Sequence, residues 1–158
     1  TENMIIRTVI VGLILLFLIW VLLPLSFIKL NNALGLPVYD FRPLKLIGLL
    51  LIGIAVSTDI YLFYLFKVYG KGTPVPVEPS KKVIETGLYK YTRNPMYLGH
   101  LTIYLGLFLY FGYLTLLILF LLAAAALHIL VSKWEEPDLK KRLGKEYTDY
   151  LQKVPRWI

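Results

Sequence analysis

Hydrophobic positions fall into three long blocks along the chain. Val9 to Ile28 is 20 residues without a charge, enough to cross about 30 Å of hydrocarbon as a helix. Trp20 and Pro24 are expected toward its outer end. Asn31 to Pro43, with Gly35, Pro37 and Asp40, reads as a short external loop. Leu46 to Phe66 is the second span. Met96 to Ser132 then runs for 37 residues with no Asp, Glu, Lys or Arg. As one helix it would measure about 55 Å, nearly twice the hydrocarbon thickness. The pattern therefore predicts a tight hairpin of two spans, 96–111 and 113–132, turning at Tyr110 to Tyr113 around Gly112. Gly99, Gly106 and the run Ala123 to Ala126 offer small faces for close contact between its helices.

Between the blocks lies a different kind of sequence. The 67–95 loop is basic and contains Pro74, Pro76 and Pro79 before it ends at Pro95. A connection this long in a compact chain is functional or disordered, and Tyr89, Tyr91 and Tyr97 argue for order. Pro95 biases Asn94 away from helix and suits a first helical turn, so a helix is expected from about Met96. Beyond Pro137, the residues Leu139, Leu143, Tyr147, Leu151 and Val154 recur at three- and four-residue steps, with Lys140, Lys141, Arg142 and Lys145 on other faces. This predicts an amphipathic helix over 138–152 on the membrane surface. The expected fold is thus all-α and integral to the membrane, one domain over 1–158. It has four transmembrane helices, the last two a hairpin, and a C-terminal interfacial helix.

Composition agrees: 58% of the 158 residues are hydrophobic and the mean hydropathy is +0.67. The net charge of +7 changes the picture only through its placement. Of 17 Lys and Arg, just Lys29, Arg42 and Lys45 fall between the first two blocks. The asymmetry places both termini and the 67–95 loop in the cytoplasm, at the plasma membrane of a prokaryote or the endoplasmic reticulum of a eukaryote. It also makes nucleic acid a poor partner and membrane lipid a good one. The first block reads as a retained anchor rather than a cleaved signal. The absence of cysteine excludes disulfides and thiol chemistry.

Candidate chemistry gathers where the loop meets the hairpin. The N-terminus of the third span offers free N–H groups and partial positive charge. The hairpin returns Glu135 and Glu136 to the same depth. If the fourth span is regular, His128, Ser132 and Glu135 share a face, as Tyr97, His100 and Tyr104 do on the third. Asp59 lies inside the second span, where an ionisable group is a candidate by default; it serves either in catalysis or as an ion-pair partner of Arg93 or a Tyr hydroxyl. No local histidine pair supports a metal site, and no glycine-rich nucleotide loop is present.

The segment Gly87-Leu-Tyr-x-x-Thr-Arg-Asn-Pro-Met-Tyr-Leu-Gly99, followed by Glu-Glu-Pro137, Leu-Gly144-x-x-Tyr147-x-x-Tyr150 and Val-Pro-Arg-Trp157, resembles the integral-membrane methyltransferases. These comprise the isoprenylcysteine carboxyl methyltransferases and the phospholipid N-methyltransferases, and the likeness covers the chain from Gly72 onward. It implies S-adenosylmethionine as cofactor, held by Val83, Gly87, Tyr89, Arg93, Asn94, Pro95, Tyr97 and Glu135 or Glu136. Asn94 stands where the prenylcysteine enzymes carry His, and an amide cannot hold a proton at neutral pH.

Methyl transfer from a sulfonium is an in-line displacement that needs positioning above all. Arg93 can bind the cofactor's carboxylate, the glutamates its ammonium or ribose, and tyrosine faces its sulfonium. The acceptor is then lipophilic, a carboxylate or amine of a lipid or prenylated compound, entering from the bilayer between spans. An amine must first lose a proton, to His100, His128 or Asp59. Two rival readings are a nicotinamide-dependent membrane reductase, for which 158 residues is short, and a non-catalytic module that binds lipid.

Overall fold

The computed structural model describes residues 2–74 and 79–158, with side chains from Ile6 onward. Residues 75–78 of the expected cofactor loop, Pro76 among them, lie outside the described residues. Every long element described is a helix. In order these are α1 (Glu2–Phe17), α2 (Leu23–Ala33), α3 (Arg42–Val68), α4 (Pro95–Phe111), α5 (Leu114–Leu130) and α6 (Glu136–Lys153). Helix Ile6–Ala33, helix Arg42–Val68 and the helix beginning at Leu114 are long and apolar enough to cross a membrane, and Pro95–Phe111 is a shorter apolar helix. The chain is an integral membrane protein by this architecture, with broad apolar faces left for lipid to cover.

Two of these helices are joined pairs. A π turn at Leu18–Leu22 carries α1 into α2, and another at Val131–Glu135 carries α5 into α6. Each is followed, one residue later, by a proline: Pro24 and Pro137. The pairing has a simple cause. A proline ring clashes with the carbonyl four residues back and cannot donate to it, and widening the turn relieves the clash. In the first turn the Leu23 N–H reaches back to Leu18, so the next residue would bond Ile19. Pro24 has no N–H, and the Tyr104 hydroxyl donates to the Ile19 carbonyl instead, at 2.8 Å. The second turn makes α5 and α6 continuous, where the sequence predicts a separate helix after Pro137. The break comes later, at Gly144 (φ +59°, ψ −130°).

Helix α3 packs chiefly on α4 through glycine. A Cβ at Gly48 would lie 2.6 Å from the Gly106 carbonyl oxygen, and one at Gly106 would lie 2.7 Å from that of Gly48. Such close backbone contact is how helices gain van der Waals energy in lipid, where apolar burial itself drives nothing. Gly99 and Gly106 thus face α3 rather than the α5 arm of the hairpin, a correction to the sequence reading. Between α4 and α5 the contact is made by large side chains instead, with Tyr104, Phe108, Leu116 and Leu119 buried together.

The α4–α5 turn is cross-tied to the α2–α3 loop. Gly112 takes φ +77° and its carbonyl accepts from Tyr39 N–H at 2.8 Å, while Leu114 N–H donates to Pro37. Asn31, fully buried, donates to the Leu36 carbonyl and accepts from Thr115 N–H. At the other end, Leu62 and Leu65 of α3 seat Ile84 and Tyr89 of the long loop. The apolar stripe of α6, with Tyr147 and Tyr150 buried, packs with Val154 just beyond its end and with Val83 of the same loop.

Candidate functional site

At the end of the bundle away from Gly112, a cavity of about 1060 Å³ opens among α1, α3, α4, the second π turn, α6 and the long loop. Its polar wall is assembled from distant parts of the chain. Arg93 and Asn94 arrive from the loop, Tyr97 and His100 from the first turns of α4, and Asp59 from α3. Glu135 and Glu136 come from the second π turn and the residue after it. Val83 and Tyr89 also line the space.

Arg93 is held at the centre. Its side chain is 10% exposed, and Nη1 lies 2.9 Å from Glu136 Oε1. That ion pair engages Nη1, while the buried Nε has no hydrogen-bond partner among the described residues. Glu136 is satisfied from the other side by Arg156, whose Nε and Nη2 donate to its two oxygens at 2.9 and 3.0 Å. Burial raises the Glu136 carboxyl, but the Arg156 and Arg93 guanidiniums outweigh it and hold it below the ordinary carboxylate range. Glu135 is the opposite case. Burial pushes its carboxyl up, and the Tyr97 hydroxyl, donating to Oε2 at 2.8 Å, offsets only part of this. The second glutamate oxygen of Glu135 has no hydrogen-bond partner among the described residues. Buried polar groups are almost always paired, so the open Nε of Arg93 is a donor that a ligand would complete.

The C-terminal tail fixes this arrangement. Arg93 N–H donates to the Pro155 carbonyl at 3.0 Å, and Thr92 Oγ1 and Asn94 Nδ2 both donate to the Arg156 carbonyl. The Tyr150 hydroxyl donates to the Tyr89 carbonyl at 2.7 Å. Burial raises the hydroxyl of Tyr150 and pushes that of Tyr147 up to about 12, so both stay protonated donors.

The structure sorts the residues named from sequence. Val83, Tyr89, Arg93, Asn94, Tyr97, Glu135, Glu136, His100 and Asp59 stand around one cavity. The Asn94 amide donor is committed to the tail, so that side chain braces the loop. Gly87 and Pro95 do not line the space. Gly87 (φ +59°) turns the loop where a Cβ would meet the Tyr61 hydroxyl at 2.6 Å, and Pro95 opens α4. His128 is off the cavity, exposed, with Trp157 Nε1 donating to its Nδ1 at 3.1 Å. The π turn is the reason: it ends the regular register that put His128 and Glu135 on one face. Asp59 pairs with neither Arg93 nor a tyrosine. Its Oδ2 lies 3.2 Å from His100 Nδ1. Trp20, expected near the outer end, instead donates to that same nitrogen from the first π turn. Arg156 and Trp20 are the contributors sequence reasoning left unassigned. Arg156 stands in the quoted Val-Pro-Arg-Trp segment, a signal for the first; Trp20 had none.

A helical membrane protein with a charged cavity at one end of its bundle, open beside its apolar helices, has the form of an enzyme working on membrane-borne substrates. The chain belongs to the phospholipid methyltransferase family, whose model matches residues 44–146, from α3 through most of α6. Membership makes membrane methyl transfer on lipids its class of activity. No curated protein and no solved structure matches the chain.

Proposed function

We propose that the chain transfers a methyl group from S-adenosylmethionine to a lipophilic acceptor held in the bilayer, with the cavity at the cytoplasmic end. The observation that carries this reading is the Arg93 guanidinium, ion-paired to Glu136 through Nη1 with Nε left open, lining the same space as the half-free carboxylate of Glu135. The cofactor carries a carboxylate and an ammonium on one carbon, and this wall offers one group of each opposite charge. Arg93, with Nη1 held by Glu136, would take the carboxylate in a charge-assisted pair, and Glu135 the ammonium or ribose hydroxyls. The volume suits a ligand of that size. When bound, the cofactor supplies an electrophilic methyl on a sulfonium. The chain's own work is to fix both reactants in line and to keep water from the reacting end, where apolar side chains of α1 and α3 form the wall.

Isothermal titration of the purified full chain with S-adenosylmethionine and, separately, with NADPH tests this. Binding of S-adenosylmethionine alone is expected, weakened at least about tenfold by Arg93→Ala and by Glu135→Gln. Binding of NADPH would favour a reductase, and binding of neither a lipid-binding module.

A further inference from the structure

The short turn Gly87–Lys90, with residues 91–94 after it, carries Tyr89 and Arg93 to the cavity. Helix lengths set its depth. The outer water boundary is marked by the ion pairs of Asp40 with Arg42 and Lys45, beside the loop tied to Gly112. From that end α4 rises only about 25 Å over Pro95–Phe111, less than the roughly 30 Å of hydrocarbon. Its first turn therefore stands at or inside the cytoplasmic hydrocarbon boundary, and so does the segment before it. On α3 the same depth is reached independently. A Cβ at Gly87 would lie 2.6 Å from the Tyr61 hydroxyl, and Tyr61 precedes Lys67 of the last turn by about 9 Å along the axis. The backbone suits such a place. The N–H groups of Tyr89, Tyr91, Thr92, Arg93 and Asn94 all donate within the chain, as irregular backbone at membrane depth must.

The outward side of this segment has a different character. Leu88, Lys90 and Tyr91 are all exposed, Tyr91 by 72%. Tyr97 and Arg93 reach Glu135 and Glu136 at 2.8 and 2.9 Å, which sets the second π turn at the same level. There Trp134 is 63% exposed beside an exposed Lys133. Neither Lys90 nor Lys133 has an ion-pair partner among the described residues, whereas Glu85 of the loop is met by Lys153. Aromatic rings beside lysine are the composition of a membrane–water interface. We propose that Leu88, Lys90 and Tyr91, with Lys133 and Trp134, are seated in the cytoplasmic headgroup layer, and that the two lysines bind headgroups of anionic phospholipid.

Continuity and charge decide the occupant. The α3 face beside the turn, with Ile54, Tyr61 and Tyr64 exposed, belongs to the apolar surface that lipid covers. Rings that continue this surface are covered by the same bilayer. Ammonium groups at its cytoplasmic edge meet negative surface charge, a gain of about fivefold in affinity per lysine. None of the five side chains lines the cavity, so the seat is separate from the substrate sites. Its consequence for the donor rests on the function proposed above. Tyr89 and Arg93 share one short segment with the outward residues, so holding one side presets the other. Donor affinity should then follow the charge of the membrane surface.

The test uses the full chain in nanodiscs of phosphatidylcholine mixed equally with phosphatidylglycerol, with bromine near the headgroup end of one lipid's chains at a time. Tryptophan fluorescence, taken as the difference from Trp134→Phe, reports the π turn; Tyr91→Trp in that variant reports the loop. Both positions should be quenched, at least about twofold more by brominated phosphatidylglycerol than by brominated phosphatidylcholine. Lys133→Gln should equalise the two lipids at Trp134, and Lys90→Gln should equalise them at position 91. Free phosphate added to the discs should not equalise them. Either position left unquenched, or quenched equally by both lipids in the otherwise unaltered chain, would overturn the seat. Titration calorimetry with S-adenosylmethionine should give about fivefold tighter binding in mixed discs than in pure phosphatidylcholine. The donor is a net cation that anionic discs also concentrate, so the decisive comparison is Lys90→Gln/Lys133→Gln in the same discs, where most of the gain should vanish. A gain undiminished in that variant would overturn the link from seat to donor. A chain quenched as expected that binds no donor would overturn the function above and uphold the seat.

Discussion

The two ends of the bundle are built from the same helices on opposite rules. At the Gly112 end each cross-tie joins groups that have a partner: Tyr39 N–H to Gly112, Leu114 N–H to Pro37, and the Asn31 side chain joining the Leu36 carbonyl to the Thr115 N–H. At the cavity end the strong ties lie in the tail and loop, while Arg93 and Asp59 keep unpartnered polar atoms inside. Unpaired buried groups are costly, so a fold keeps them where something else completes them. One end is finished by the chain, and under the proposed function the other is completed by its ligands. Stability should therefore be concentrated at the first and ligand affinity at the second.

The largest effect is expected at the finished end. Gly112 and Gly35 both have left-handed backbones, φ +77° and +61°. A Cβ at Gly35 meets nothing within 4 Å, whereas one at Gly112 overlaps the Tyr39 carbonyl oxygen. Gly35→Ala should lower stability by about 1 kcal/mol, the conformational term alone. Gly112→Ala should lower it by on the order of 3–5 kcal/mol, since the loop must leave. Unfolding in mixed micelles with rising dodecyl sulfate measures both. Equal losses would mean that the cross-tie contributes nothing.

A smaller, split effect separates the ends. Asn31→Ala should cost about 1–3 kcal/mol by leaving the Thr115 N–H and Leu36 carbonyl unmet, with donor affinity unchanged. Arg156→Ala should cost less, about 1–2 kcal/mol, because the guanidinium is 30% exposed and partly screened. It should also weaken donor binding about tenfold, since Glu136 then holds Arg93 alone and competes with the cofactor's carboxylate. Thermal melts paired with titration calorimetry read the two columns. An Arg156→Ala chain with full affinity would show that the tail only stiffens the loop.

How far the sequence carried this picture depends on what each feature rests on. Charge-free stretches longer than one membrane thickness dictated the hairpin, and Gly112 sat where the turn had to be. Arg93, Tyr97 and Glu135 were legible because a proline-led helix start and a hairpin return are local facts. Register was not legible. Pro24 and Pro137 each widen the turn before them, rotating Trp20 and Glu135 to the cavity and leaving His128 outside, and no periodicity count anticipates a π turn. The tail was legible as a motif and illegible as a brace, because its partners, residues 92–94 and Glu136, lie far away in sequence.

Acid should pull the two glutamates apart in the smallest and most specific of these effects. Burial raises the carboxyl of Glu135, with the Tyr97 hydroxyl offsetting part of it, so on acidification its charge is lost above the ordinary carboxylate range. Burial also opposes the charge on Glu136, but Arg156 and Arg93 outweigh it. The stability that Glu136 contributes is therefore present above its unfolded value and lost only as pH falls through a lowered folded one. Between those two titrations the chain should hold its tail and loosen its donor. Affinity for S-adenosylmethionine should fall there by at most about tenfold per pH unit, and Glu135→Gln should flatten the dependence while lowering affinity throughout. Carboxypeptidase should meanwhile release Trp157 and Ile158 no faster than at neutral pH. If the tail is freed at the same pH at which affinity drops, the glutamates act as one group, and the separation between the clamp and the ligand-binding carboxylate is lost.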